Sequence, residues 1–243
     1  MENQQLFYKK VVPVNRDSHA NWAIQQGKNF AFAKSTNSVP VMTAEFQPSG
    51  DEYPIVFAEN NGGVIPVVVL GLQNDSSYMI GESGEWEGRY VPAFRRRYPF
   101  VCSTEDEGEN LTLCIDEAFE GCNQDGEGEL LFSPDGEQTE FLENVVNFTK
   151  NYQQEYLRTV MFCKLLQDLD LLEPMRAQAR FSDSEDVSEL SFSGISRKKL
   201  KALDAEKLAE LVSNDALELI YLHFNSLRRF QDLVLLEGKN RSQ

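Results

Sequence analysis

Between Glu87 and Phe100 the chain reads EGRYVPAFRRRYPF, with four arginines, four aromatic rings and two prolines in fourteen positions. A guanidinium can lie flat on a ring and can also fork onto a carboxylate or phosphate, so the chemistry these residues suit is recognition. Arg95, Arg96 and Arg97, next to Tyr98, are the candidate grips for an anionic group on a partner, with Arg89, Tyr90 and Pro92 completing the surface. The internal alternative is that the arginines neutralise the chain's own acids, of which a formal charge of −16 leaves many. Upstream, Glu45 and the neighbours Glu52 and Tyr53 have the residue types of an acid–base pair, but no further group at fixed spacing supports proton-transfer catalysis. Glu45 and Tyr53 are therefore placed near the arginine surface as structural or contact residues. His19, in polar surroundings, joins them as the remaining titratable candidate.

Other chemistries lack their residues. There is no GxxxxGK[ST] phosphate loop, no GxGxxG after a strand and no GxSxG nucleophile elbow. Of the two histidines, His19 stands in His19-Ala20-Asn21, which does not supply the HxD or HxE spacing of an iron site, and His223 lies between Leu222 and Phe224 in a helical pattern and reads as core. Asp116–Glu127 has a Gly sixth and a Glu twelfth, as a calcium loop would, but Ala118 occupies the third position and removes a ligand. Cys102, Cys114, Cys122 and Cys163 are irregularly spaced without a CxxC, which points to buried free thiols rather than zinc or a disulfide framework. No metal, cofactor or catalytic group is assigned.

At 243 residues with 16 Phe and 8 Tyr, the chain can fill a real core. The acidic charge argues against nucleic acid and against an anionic membrane surface. No apolar run is long enough to span a bilayer, and MENQQLFYKK does not resemble a secretory leader, so a cytoplasmic protein is expected. The charge is concentrated: residues 101–140 hold thirteen acids and neither Lys nor Arg. Because this segment follows the arginines directly, part of it is expected to fold back over Arg95–Arg97.

The elements that must position these residues are read from periodicity. Lys10–Val14 is a strand candidate, Asn15–Ser18 polar turn material and Asn29–Ala33 a short apolar segment. Tyr53–Glu59 and Val64–Leu72 predict a hairpin around Asn60-Asn61-Gly62-Gly63, and the run IPVVVLGL predicts the sheet's central strand. Ser77–Ile80 and Trp86–Tyr90 are expected as short strands, Tyr90–Arg97 as a short helix and Asn110–Asp116 as a strand. Asp116–Gly136 reads as an exposed loop anchored by Leu130–Phe132. From Thr139, as N-cap, apolar residues at three- and four-residue steps predict one long helix ending near Leu172, before Pro174. Ala177–Phe181 and Glu189–Phe192 predict a second hairpin. Helices over Asp204–Val212 and Asp215–Leu236 follow, the last stopped by Gly238. The basic residues of Arg197–Lys201 are expected on a solvated face. The sum is one α+β unit over residues 1–243, a mainly antiparallel sheet packed by a long helix with a helical C-terminal part, and the acidic segment 103–140 its only subdivision.

The chain resembles the bacterial SapC family over almost its whole length. The matching residues are VVPVNRDSHA, FAFA, VPVMTAEF, EYPIVF, PVVVLGL, GEWEGRYVPAFRRRYPF, LCIDE and the helix after GEQTEFL. Arg95 stands where the family pattern has an apolar residue, so Arg96 and Arg97 are the arginines that carry over. The family name implies a surface-layer component. Its members are also found near TonB-dependent receptors, flavin-dependent halogenase-like proteins and cupin-like oxygenases, which implies an accessory role toward a co-encoded protein. The sequence-based expectation is a non-catalytic protein that binds a protein or peptide partner through the Arg/Tyr/Pro surface. A structural role in a surface layer is the alternative. An enzyme of unrecognised type ranks third and requires a deep pocket with convergent polar groups at Arg89–Tyr98.

Overall fold

The computed structural model describes residues 6–25, 27, 29–60, 62–105, 110–180 and 187–241. In chain order the elements are β1 (Val11–Pro13), α1 (Arg16–His19), β2 (Ala23–Ile24), a 3-10 turn (Ala31–Ala33), β3 (Ser38–Pro40), a second 3-10 turn (Thr43–Glu45) and α2 (Phe46–Gly50). They continue with β4 (Ile55–Asn60), β5 (Gly63–Val69), α3 (Ala93–Arg96), β6 (Phe100–Glu105), β7 (Asn110–Asp116), β8 (Cys122–Asn123), β9 (Glu129–Leu130) and α4 (Glu140–Asp168). The rest are β10 (Leu172–Arg180), β11 (Val187–Ile195), α5 (Arg197–Ala202), α6 (Ala205–Ser213), α7 (Ala216–Ser226), a 3-10 turn (Leu227–Arg229) and α8 (Phe230–Arg241). The class is α+β. The chain forms two compact units, one of residues 1–29 and 94–154, the other of residues 30–93 and 155–243.

In the first unit the strands form two three-stranded antiparallel sheets, ordered β1-β7-β6 and β8-β2-β9. Their core is Ile24, Phe100, Ile115, Leu131, Phe132 and Leu142, the last from the first turn of α4. Thr139 caps that helix, its Oγ1 accepting from the Leu142 N–H at 3.3 Å, with Glu140 and Glu143 at the positive end of the helix dipole. The segment Asp116–Gly136 is not a plain loop. Two of its short stretches flank β2, and Leu131 and Phe132 are buried as the anchor. The polar stretch at Asn15–Ser18 is a single helical turn, because the Asn15 side chain accepts from the Ser18 N–H at 2.9 Å and nucleates it.

The second unit holds a five-stranded antiparallel sheet ordered β10-β11-β4-β5-β3. Both predicted hairpins are present, β4–β5 with six residue pairs and β10–β11 with nine. The middle strand is β4 rather than the more apolar β5, which lies between β4 and β3. Ser77–Ile80 and Trp86–Tyr90 do not form strands. One bridge, Ile80 to Trp86, is all that pairs the two, because the Ser77 and Tyr78 N–H groups go to the Lys34 and Leu70 carbonyls and the Tyr90 carbonyl accepts from side chains. The long helix ends at Asp168, not Leu172, and Pro174 sits in β10, an edge strand, where a missing N–H faces outward without cost. Gly238 does not stop the last helix, which continues to Arg241.

The junction between β4 and β11 is unusual. These neighbours pair at one position, Ser193 with Phe57. Two residues along, where Ile195 would meet Ile55, the imidazole of His223 from α7 stands in for the ladder. Its Nε2 accepts from the Ile195 N–H at 3.1 Å, and its Nδ1–H donates to the Ile55 carbonyl at 2.8 Å. Ser226 Oγ accepts from the Ile55 N–H at 3.0 Å and donates to the His223 carbonyl at 2.7 Å. His223 is fully buried, as its sequence context indicated, and burial lowers its pKa to about 4.

Candidate functional site

The nine candidate residues fall into both units, and each group is built within its own. In the second unit the anchor is Glu45, at the end of the Thr43–Glu45 turn and 6% exposed. Its Oε1 accepts from the Tyr90 hydroxyl and from the Ala93 N–H, both at 2.7 Å, and its Oε2 accepts from the Met42 N–H at 3.1 Å. A buried carboxylate is stable there because three donors replace its water. It fixes both ends of the segment Tyr90–Ala93.

The phenol of Tyr53, wholly buried, lies 2.6 Å from the Tyr90 carbonyl and 2.9 Å from Glu52 Oε2, and the Trp86 indole N–H approaches it at 3.2 Å. Glu52 then takes the Arg89 N–H at 2.8 Å and the Arg89 Nε–H at 3.0 Å. Pro92 is buried and Tyr90 half-buried. The Arg89 side chain is 82% exposed while its partner Glu52 is 12% exposed. Glu52 engages Nε, so the two terminal nitrogens of this guanidinium face solvent with their direction already set.

Gly88 is required by this network. A Cβ there would overlap the Tyr53 hydroxyl and stand 2.7 Å from Trp86 Nε1 and 2.8 Å from Glu52 Oε2. The phenol hydroxyl is bonded to the Tyr90 carbonyl and Glu52, and moving it would break those bonds. Gly88→Ala is therefore expected to cost roughly 1–3 kcal/mol as an overpacking change, read as a lower denaturant midpoint. An unchanged midpoint would show that the network is slack.

In the first unit the arginine run fans out. Arg95 is 1% exposed and Arg97 4% exposed, while Arg96 between them is exposed. Consecutive residues on one helical turn point in different directions, which separates them. The Arg97 guanidinium lies over the rings of Phe94 at 4.3 Å, Tyr152 at 4.5 Å and Tyr8 at 5.9 Å. Burial pushes the Tyr8 phenol up to about 12 against the opposing pull of Arg97, and that phenol donates to the Phe100 carbonyl at 2.8 Å. The Arg96 guanidinium stacks over Phe148 at 5.3 Å.

Tyr98 is buried among Phe7, Tyr8 and Phe119, edge to face, and its hydroxyl donates to Asp116 Oδ2 at 3.2 Å. Burial is the main cause that raises its pKa, reinforced by Asp116. Of the acidic run expected over the arginines, Asp116 is drawn into this aromatic cluster, and residues 106–109 lie outside those described.

His19 is buried, with Nδ1 at 3.1 Å from the Asn15 carbonyl and 3.3 Å from the Asn15 nitrogen, its ring 5.0 Å from Trp22 and its Nε2 3.5 Å from Glu117 Oε1. A hydrogen bond from Lys10, at 2.6 Å, is the main influence holding the Glu117 carboxyl below its usual range.

Thus six of the nine, His19, Glu45, Tyr53, Pro92, Arg97 and Tyr98, are buried, Tyr90 is half-buried, and Arg89 and Arg96 are exposed. Glu45, Tyr53, Arg89 and Tyr90 come together in one network, and Arg97 and Tyr98 share one aromatic cluster. Glu52, Trp86, Gly88 and Asp116 belong to these groups as well, although none is among the expected site residues. In the sequence Glu52 stands out only for an acid–base pair and Trp86 adjoins the arginine stretch, while Asp116 is marked as a strand end, within LCIDE and as the first position of the calcium-like loop. The basic cluster after Ser196 has Arg197 stacked over Phe224 at 3.9 Å, with Lys198 and Lys201 exposed. All four thiols are free, and burial raises those of Cys122 and Cys163 to about 12. Among the described residues no three His, Cys, Asp or Glu side chains are grouped to hold a metal, and no helix is long and apolar enough to cross a membrane.

No curated protein and no solved structure matches the chain. The SapC family profile matches residues 14–233, which takes in both units and every residue of the two groups except Phe7 and Tyr8. The chain belongs to the SapC family.

Proposed function

We propose that this SapC-family protein is a non-catalytic cytoplasmic accessory protein that binds a protein or peptide partner, and that Arg89 on the second unit and Arg96 on the first each offer a contact of their own. The observation that carries this is the state of Arg89: its backbone N–H and Nε are fixed by Glu52, while its terminal nitrogens are turned outward. A guanidinium already oriented loses little freedom when it forks onto a partner's carboxylate. Arg96, on the first unit, is exposed with its guanidinium over the Phe148 ring. The non-catalytic reading is supported by the inward turn of the other polar groups, since Glu45 and Tyr53 are occupied by the chain's own donors and acceptors.

The partners to try are the co-encoded oxygenase, halogenase-like protein and TonB-dependent receptor. Titration calorimetry with each is expected to find one binder, and the double change Arg89→Ala with Arg96→Ala is expected to weaken it about tenfold to a hundredfold. Equal affinity of the double variant would remove the arginines from the contact. Fractionation is expected to recover the protein with the cytoplasm; recovery with the outer wall would favour a surface-layer role instead.

A further inference from the structure

We infer that the second unit captures an extended peptide by edge pairing to β11, in the notch where β11 parts from β4; this rests on the proposed role of binding a protein or peptide, and it gives that role a second contact. In an antiparallel strand alternate residues direct their backbone groups to one side. On β4 the residues facing β11 are Ile55, Phe57 and Glu59. Ile55 is satisfied by Ser226 and His223, and Phe57 pairs with Ser193. On β11 the residues facing β4 include Ile195, Ser193 and Ser191, of which Ile195 is taken by His223. The next pair in register, Ser191 opposite Glu59, does not form. Both residues are described and exposed, and neither N–H or C=O on that side has a partner among the described residues.

The outer edges of the sheet differ from this notch. The edge strand β3 ends at Pro40 and β10 carries Pro174, devices that blunt a free edge. Neither of the two residues left facing each other at the notch, Ser191 and Glu59, is a proline, although Pro174 lines the same cavity. The cavity there includes the apolar side chains of Val56, Leu190 and Phe192 beside Ser191 and Ser193, and Glu59 also lines it. An unpaired backbone edge beside apolar side chains recognises one kind of occupant, a strand whose backbone completes the ladder and whose alternate side chains are apolar. The acid adds a preference for a cationic residue on that strand.

The probe is an acetylated and amidated octapeptide of valine alternating with threonine and lysine, with a twin methylated on alternate backbone nitrogens. With the full-length protein, fluorescence anisotropy is expected to show saturable binding of the first, weakened about tenfold or more in the twin through loss of two backbone hydrogen bonds. Amide exchange at Ser191 and Glu59 is expected to slow when the first peptide binds. Ser191→Pro deletes an N–H that the hairpin itself does not use, and is expected to weaken binding to the same extent with an unchanged circular dichroism spectrum. The twin needs no protein variant, so it decides the matter even if Ser191→Pro misfolds. Equal binding of the twin, or no binding with unchanged exchange at both amides, overturns the inference. The double Arg89 and Arg96 variant is expected to bind the octapeptide normally. A co-encoded partner lost on changing those arginines but kept by Ser191→Pro would retain the proposed function and discard this one.

Discussion

Replacing His223 with alanine is expected to destabilise the second unit by about 4 kcal/mol, because the Ile195 N–H and the Ile55 carbonyl lose the imidazole that bridges them and a buried cavity opens. The ring works only when neutral, since Nε2 must keep a lone pair for the Ile195 N–H. Its pKa lies at about 4 in the folded chain against an ordinary 6.5, chiefly because burial penalises the charge. The unfolded chain therefore takes up the proton first. The contribution is complete above about pH 6.5 and is lost as pH falls toward 4, a span worth about 3 kcal/mol. Urea titrations at pH 7.5 and pH 4.5 measure it. His223→Gln retains a donor and an acceptor and is expected to be less stable than the parent at pH 7.5 but to lack this acid-sensitive step. A parent whose stability is level across that range would show that the imidazole is not the bridge.

Asp116→Ala is expected to cost roughly 3–5 kcal/mol in the first unit. The carboxylate is completely buried and accepts from the N–H groups of Lys9 and Lys10 at 2.8 Å each, from that of Ala118 at 3.1 Å and from the Tyr98 hydroxyl. Hydrogen bonds to a charged acceptor are stronger than neutral ones, and deleting the acceptor strands every donor at once. Asp116→Asn keeps one acceptor oxygen but turns an amide N–H toward donors, so it is expected to recover only part of the loss. Thermal unfolding and amide exchange at Lys9 and Lys10 separate the two variants. Exchange there is expected to accelerate in Asp116→Ala before any global change, and unaltered protection would mean that the N-terminal segment is held by other contacts.

Two of the three hairpins between sequence neighbours were revealed by periodicity, while β6, paired with β7 at six positions, was not. The β4–β5 and β10–β11 hairpins, the capped start of α4 and the placement of His223 in the core all follow from spacing and turn chemistry. What else stayed hidden depends on distant pairing. Ala23 and Ile24 make a strand only because Cys122–Asn123 and Glu129–Leu130 arrive on either side of them, and two residues carry no period. The site was legible as a set of residue types, and the partnership of Glu45 with Tyr90 follows no sequence rule. The direction of each arginine was not legible either. A guanidinium among rings can stack inward, as Arg97 does, or outward, as Arg96 does, and the composition is the same for both.

The interleaving of the two units in the chain sets an order for synthesis on the ribosome. By the time Gln154 has emerged, every residue of the first unit is present, and it can consolidate while translation continues. The strands β3, β4 and β5 are made early as well, yet the middle one must wait: the groups that satisfy Ile55 come from positions 223 and 226, close to the end of the message. A nascent chain arrested before α7 would therefore carry a half-finished sheet with a raw margin, a ready handle for a chaperone.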